Sequence, residues 1–429
     1  MKRILSIITL ICFSIVSVTG QTKSIKNSPP LTEASAASVG MSQERLNLID
    51  KMCQEAIDNN SVPGVVALVA RRGKIVYHKA FGTSDASGKV LERNAIFRIA
   101  SQSKAITATA VMMLWEEGEF GLDEPISNYI PEFKDGQVLD SVLPDGSYKT
   151  TPVNKPITIR HLLSHTSGLG YGVIDGDARF RKMYKDAGIT DLFTTESISI
   201  GESVKKLAKL PLHHHPGEKF TYSEGLDVLG YFIEIVSGMP FDEFLRKRIF
   251  DPLKMDDTWF YLPETKQSRL VKVQTKTDDK WTNYPTTFYD PDYPIKGAKT
   301  FFSGGAGLSS TAKDYATFLQ MYLNNGELNG TRILSRTTIQ FMLENQIGET
   351  LKEAGFYYGL AFAVVEETNA NKGGNFSEGT FQWGGYFNTQ YYADPEEQLV
   401  VVLMKQTQAV RGDSTANKFR ILVSQAIDD

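Results

Sequence analysis

The sequence predicts a mixed α/β (α+β) protein, an antiparallel sheet flanked by helices and interrupted by an inserted, mainly helical lobe. Three observations lead there. Val65 to Ala70 and Lys74 to Ala80 are apolar or alternating around Arg71-Arg72-Gly73, the mark of an antiparallel hairpin. Phe387 to Ala393 and Leu399 to Lys405, joined by Asp394-Pro395-Glu396-Glu397, supply a second strand pair near the C-terminus. Between about 118 and 300, helix signals and loop punctuation dominate and alternating strands are lacking, so the two strand pairs are expected to share one sheet across an insertion.

Taken in order, residues 1–20 read as a secretory signal: Lys2 and Arg3, an apolar run from Ile4 to Val18, then Val18-Thr19-Gly20 as a cleavage site before Gln21. The run is short for a transmembrane span, with an uncleaved anchor as the alternative. Cys12 follows Ile11 rather than the small residue a lipoprotein site prefers. An exported protein, periplasmic or secreted, with no membrane insertion after cleavage, is the expectation. Residues 21–40, with Pro29-Pro30 among Ser, Thr and Ala, read as an extended tether. The domain then spans 41–429, with a mixed lobe at about 41–117 and 301–429. Ser42 reads as the N-cap of a helix from Glu44 to Asn59, with Leu46, Ile49, Met52, Cys53 and Ile57 on one face. A closing helix is expected from about Asn417 to Ala426.

With 429 residues, 41% hydrophobic, the chain can bury a large core, which excludes disorder and fibre. The formal charge is −4, two units more negative once Lys2 and Arg3 are removed, and no basic block suggests a nucleic-acid partner. Cys53 alone remains after cleavage, so neither an internal disulfide nor a thiol–metal cluster is available. The expected partner is a small molecule; oligomeric state is left open.

The chemistry concentrates in Ser101-Gln102-Ser103-Lys104, followed by the apolar and small residues Ala105 to Leu114. Residues i and i+3 share a helix face, so Lys104 can reach back to the Ser101 hydroxyl. A serine becomes a good nucleophile when a neighbour takes its proton, and a lysine does so only as a neutral amine. At a helix start, unpaired N–H groups and the dipole also favour an oxyanion. The spacing recurs by chance: Ser203-Val204-Lys205-Lys206 matches too, but in a basic, solvated stretch. An N-capping serine with a solvent-facing lysine is the competing reading for Ser101 as well.

Two further segments belong with it. Phe220-Thr221-Tyr222-Ser223-Glu224-Gly225 places a tyrosine where loop becomes helix, and a phenol beside a cationic amine can relay a proton; alone, Tyr222 reads first as a packing aromatic. Gln382-Trp383-Gly384-Gly385-Tyr386 leads into the C-terminal strand pair, where glycines let a substrate lie against an edge strand, or simply mark a bulge.

In this order and spacing, the three segments resemble the serine β-lactamase and penicillin-recognising superfamily, in the branch of class C β-lactamases, D-amino-acid peptidases and esterases. Thr158 to Leu169 and Gly304 to Thr311 are similar to framework segments of that branch. The resemblance implies a β-lactamase/transpeptidase-like fold with Ser101 acylated and Lys104 and Tyr222 as the proton-transfer pair. It puts the oxyanion hole at the N–H groups of Ser101 and Tyr386, substrate contacts at Trp383, Gly384, Gly385 and Glu224, and no metal or organic cofactor. Two departures shape the expected substrate. Glu224 stands where many members have Asn, and an ionised carboxylate offers no donor. Trp383 stands where β-lactamases and many carboxypeptidases have a cation that holds a substrate carboxylate. The expected activity is therefore a carboxylesterase ahead of a D-Ala-D-Ala carboxypeptidase or a class C-like β-lactamase, with acyltransferase or noncatalytic binding as further alternatives. Lys405 or Arg411 could supply the missing cation. His213-His214-His215 reads as a poor metal tract, and His161 and His165 as framework residues. Phe356, Tyr357 and Tyr358 read as core aromatics, with Tyr386 as a candidate for an acyl pocket.

Overall fold

The computed structural model describes residues 22–354, 356–366 and 376–429. Its main sheet has eight strands. In chain order they are β1 (Thr32–Glu33), β2 (Gly64–Arg71), β3 (Lys74–Gly82), β4 (Phe356–Tyr358), β5 (Ala363–Val365), β6 (Phe381–Gly385), β7 (Thr389–Asp394) and β8 (Leu399–Met404). The spatial order is β4-β5-β6-β7-β8-β2-β3-β1, antiparallel throughout except for the short β1–β3 pairing.

The expected junction between the chain's two ends is β8 against β2, from Leu399 opposite Arg71 to Met404 opposite Val66. Every residue of both strands is buried, because helices cover both faces of the sheet and leave no polar side for alternation. One face packs on α1 (Gln43–Asp58) and α5 (Thr415–Ser424), through Leu46, Ile49, Cys53, Phe419 and Val423. The Ser42 hydroxyl caps α1 by accepting the Arg45 N–H at 3.3 Å. The opposite face packs on α2 (Ser103–Glu116) and α4 (Ala312–Leu323). Ser103 to Leu114 are all buried, so the small residues of α2 let it run through the centre without an exposed stripe. Beside it lies α3 (Gly225–Ser237).

Two expectations need correction. Residues 22–40 do not stand away from the domain as a tether: Thr22–Lys23 pairs with Thr331–Arg332, β1 extends the sheet, and Leu31, Ala36 and Val39 are buried. The apolar residues scattered through that polar stretch are what fasten it. The inserted region also contains strands, as two hairpins, Gln137–Val142 with Tyr148–Pro152 and Gln274–Thr277 with Lys280–Asn283. Most of their residues are exposed or half-buried, so they carry no period-two apolar pattern. Residues 1–20 lie outside the described residues. Among the described residues, no helix is long and apolar enough to cross a membrane.

Candidate active site

Ser101 sits in a single 3₁₀ turn, Ala100–Gln102, immediately before α2. Ala100 has φ of +43°, a left-handed conformation that costs a residue with a Cβ about 1–3 kcal/mol and is typically kept where function needs it. The sharp corner leaves Ser101 partly exposed while its neighbours are buried.

One turn later Lys104 is fully buried. Its Nζ donates to Ser101 Oγ at 3.4 Å, to the Tyr171 hydroxyl at 2.8 Å and to the Gly305 carbonyl at 2.8 Å. The carbonyl is in place because Asp227, in the first turn of α3, holds its loop: Oδ1 accepts the Ser303 hydroxyl at 2.5 Å and the Gly305 N–H at 3.2 Å. A Cβ on Gly305 would stand 2.4 Å from Asp227 Oδ2, so this approach requires glycine.

Tyr222 meets the amine differently from the expected hydroxyl-to-amine pairing. Lys104 Nζ lies 4.6 Å from its ring centroid, and its hydroxyl accepts the Trp383 indole N–H at 3.4 Å. The hydroxyl bonded to Lys104 belongs to Tyr171, which sequence reasoning missed. Its one available signal is its place directly after the Ser167-Gly168-Leu169-Gly170 turn.

Three buried carboxyls surround this centre: Asp191, Glu224 and Asp227. Burial pushes all three above the usual carboxylate range. Glu224 is raised well above it, with the neighbouring Asp191 and Asp227 adding to burial and Lys104 opposing. The shift favours the protonated carboxyl, the form of Glu224 that carries an O–H donor. Among the described residues its Oε1 has no partner.

Strand β6 brings the third segment to Ser101. It pairs with β5 at Phe381 and Gln382, and among the described residues no strand pairs with Trp383 to Gly385 on that side, which leaves them as an edge. A Cβ on Gly385 would lie 2.4 Å from the Ile99 carbonyl, which is how close the strand passes to the serine's turn; at Gly384 the nearest atom is 3.2 Å away. Beyond it, the Tyr386 carbonyl accepts the Gln408 amide at 2.8 Å, and among the described residues no backbone group accepts the Tyr386 N–H. The Tyr386 ring joins a group the sequence did not single out, 6.2 Å from Phe193 and 6.4 Å from Tyr289. Tyr358 backs Trp383 at 5.4 Å, while Phe356 and Tyr357 are half-buried in β4.

The remaining candidates lie elsewhere or are engaged. Lys405 is fully buried and tied to Asp413 and Thr415, and so cannot serve as the missing cation. Arg411 is exposed in the segment before α5. The three consecutive histidines are engaged separately: His213 with Asp175, His214 with Thr221 and the His215 carbonyl, and His215 with the Asn154 N–H. His161 closes a capping box with Thr158, and Ser203 Oγ donates to the Thr190 carbonyl. Cys53 is buried and unpaired.

A partly exposed serine, a buried lysine, two tyrosines and a glycine-edged strand at one corner define a serine hydrolase of β-lactamase type. The chain matches the Beta-lactamase family over residues 49–425 and belongs to it. It is 30% identical to Esterase EstB of Burkholderia gladioli over 380 residues, 84% of this chain and 90% of the esterase. A putative D-alanyl-D-alanine carboxypeptidase of Escherichia coli K12 is 25% identical over 422 residues, 92% of this chain and 90% of that protein. Among solved structures, EstCE1, described as a hydrolase with promiscuous acyltransferase activity, superposes with a TM-score of 0.75 at 28% identity, covering 89% of this chain and 98% of its own.

Proposed function

We propose that the protein is a carboxylesterase that works through an acyl-enzyme on Ser101. Ser101 Oγ attacks the ester carbonyl, and its proton passes to Lys104 or, through it, to Tyr222. The tetrahedral oxyanion is held by the N–H groups of Ser101 and Tyr386, the alcohol leaves with the returned proton, and water then releases the acid. Removing one such oxyanion donor typically costs on the order of a hundredfold or more in rate.

The observation that carries the ester assignment is the state of the buried cations. Arg71, Arg98, Lys104 and Lys405 are the buried lysines and arginines among the described residues. Arg71 pairs with Glu397 and Asp429, Arg98 with backbone carbonyls and Gln406, and Lys405 with Asp413. Only Lys104 faces Ser101, and it belongs to the proton-transfer group. With Trp383 at the strand edge in place of a cation, no buried lysine or arginine among the described residues other than Lys104 is turned to Ser101, which favours an uncharged acyl group over a D-amino-acid peptide or a β-lactam. The apolar run behind Lys2 and Arg3 supports export, which sequencing the N-terminus of the mature protein tests.

Purified protein should hydrolyse p-nitrophenyl acetate and take up a fluorophosphonate at Ser101, with Ser101→Ala losing both. Higher kcat/KM for nitrocefin or a D-Ala-D-Ala peptide than for the ester would overturn the ester assignment. A second reading, acyl transfer, is favoured by the similarity to EstCE1 and is tested by adding an alcohol and looking for transesterified product.

A further inference from the structure

His165 is fully buried and holds φ of +56°. Positive φ is uncommon outside glycine, though histidine adopts it more readily than most residues, and in a buried turn it is kept by compensating contacts. Those contacts are with the segment carrying Tyr222, gripped on both sides. The His165 carbonyl accepts the Thr221 N–H at 2.8 Å, and its ring Nδ1 accepts the Ser223 N–H at 3.2 Å and the Ser223 hydroxyl at 3.1 Å. The ring itself lies 4.6 Å from the Tyr222 ring, with Phe220 and Tyr358 at 5.7 and 5.5 Å around it.

Because a backbone N–H can only donate, Nδ1 must be an acceptor and the ring proton sits on Nε2. Burial, with the charge of Lys104 adding to it, pushes the ring well below the usual histidine range, so this tautomer persists at neutral pH. We propose that His165 is a positioning residue for Tyr222, fixing the backbone on either side of the phenol and the plane of its ring so that the ring stays against the Lys104 amine and its hydroxyl at the Trp383 indole. His165 touches neither Ser101 nor Lys104 through a hydrogen bond and acts through Tyr222 alone. The inference rests on the reading of Tyr222 as a proton carrier.

The requirements are specific: tolerance of a positive φ, an acceptor near the Nδ1 position, and a planar group beside the phenol. Asparagine meets the first two, since it enters the left-handed region readily and its Oδ1 can replace Nδ1. Alanine meets none of them and leaves the buried Ser223 N–H without its partner.

The test is a double-mutant cycle on ester hydrolysis, with folding checked by circular dichroism. His165→Ala should lower kcat about tenfold or more while KM stays within about threefold. On a Tyr222→Phe background the same change should cost less than about twofold, because the group it positions is already gone. His165→Asn should recover most of the loss. An equal loss on both backgrounds, or a folded His165→Ala with unchanged kcat, overturns the proposal. Should His165→Ala not fold, His165→Asn decides: a folded variant with kcat down tenfold or more shows that the acceptor is not what matters. A wild-type protein without esterase activity would instead sink the functional reading itself, so the two failures are distinguishable.

Discussion

Tyr171→Phe tests the surroundings of Lys104 with little collateral change, because it removes one oxygen and keeps the ring. The deleted hydroxyl is fully buried and 2.8 Å from Lys104 Nζ. The Tyr171 backbone N–H still reaches Asp175 Oδ2 at 3.0 Å, so the local chain should hold. A hydrogen bond to a chargeable group contributes about 1.5–3 kcal/mol. If that contact holds the amine against Ser101 in the transition state, its loss should lower kcat by about tenfold to a hundredfold, at about 1.4 kcal/mol per factor of ten. KM should change little, since Tyr171 is buried behind the amine. The assay is steady-state hydrolysis of p-nitrophenyl acetate, paired with the second-order rate of fluorophosphonate labelling, which reports the nucleophile before deacylation. Both rates should fall together. A variant whose two rates stay within about twofold of wild type would show that Lys104 is placed by Gly305 and packing alone.

Other consequences can be checked in parallel. Gly385→Ala puts a methyl against the Ile99 carbonyl, so kcat should fall by at least about a hundredfold through displacement of the oxyanion strand; near-normal activity would mean that the strand can retreat without cost. Trp383→Lys supplies the cation the site lacks, and the ratio of kcat/KM for carboxylated over neutral substrates should rise about tenfold; an unchanged ratio refutes the charge argument. Burial pushes Asp314 up to about 6, against the hydrogen bond from the Asp257 N–H. Its folded value exceeds its unfolded one, so ionising it costs stability, negligibly below pH about 4 and fully above about 6. Urea unfolding should therefore show the stability of Asp314→Asn, relative to wild type, rising by about 2–3 kcal/mol between pH 4 and pH 7. A constant difference across that window would contradict the assignment.

What the sequence revealed was what local spacing or strong apolar runs encode. Ser101 and Lys104 are legible because one helical turn joins them, and β2, β3, β7 and β8 because long apolar runs mark buried strands. Tyr171 was not legible: it lies far from Lys104 in the chain, and only the packing of the loop after Leu169 brings its hydroxyl in. Glu224 was legible as a departure but not in the upward shift of its carboxyl, which follows from burial and the neighbouring Asp191 and Asp227 against the pull of Lys104. His165 sat inside a recognised segment, yet its grip on Thr221 and Ser223 depends on a backbone conformation that composition does not signal. The strands of the insertion escaped because they bury too little to show a period, and Lys405 misled because its partner Asp413 is a neighbour only in the folded chain.

The central claim, that Ser101 itself carries the acyl group, is tested most directly by rapid-quench mass spectrometry of the intact protein during ester turnover, followed by peptide mapping. One acyl adduct per chain is expected, on the peptide containing Ser101, and none on Ser101→Ala. An adduct on another residue, or turnover by Ser101→Ala at the wild-type rate, would contradict it.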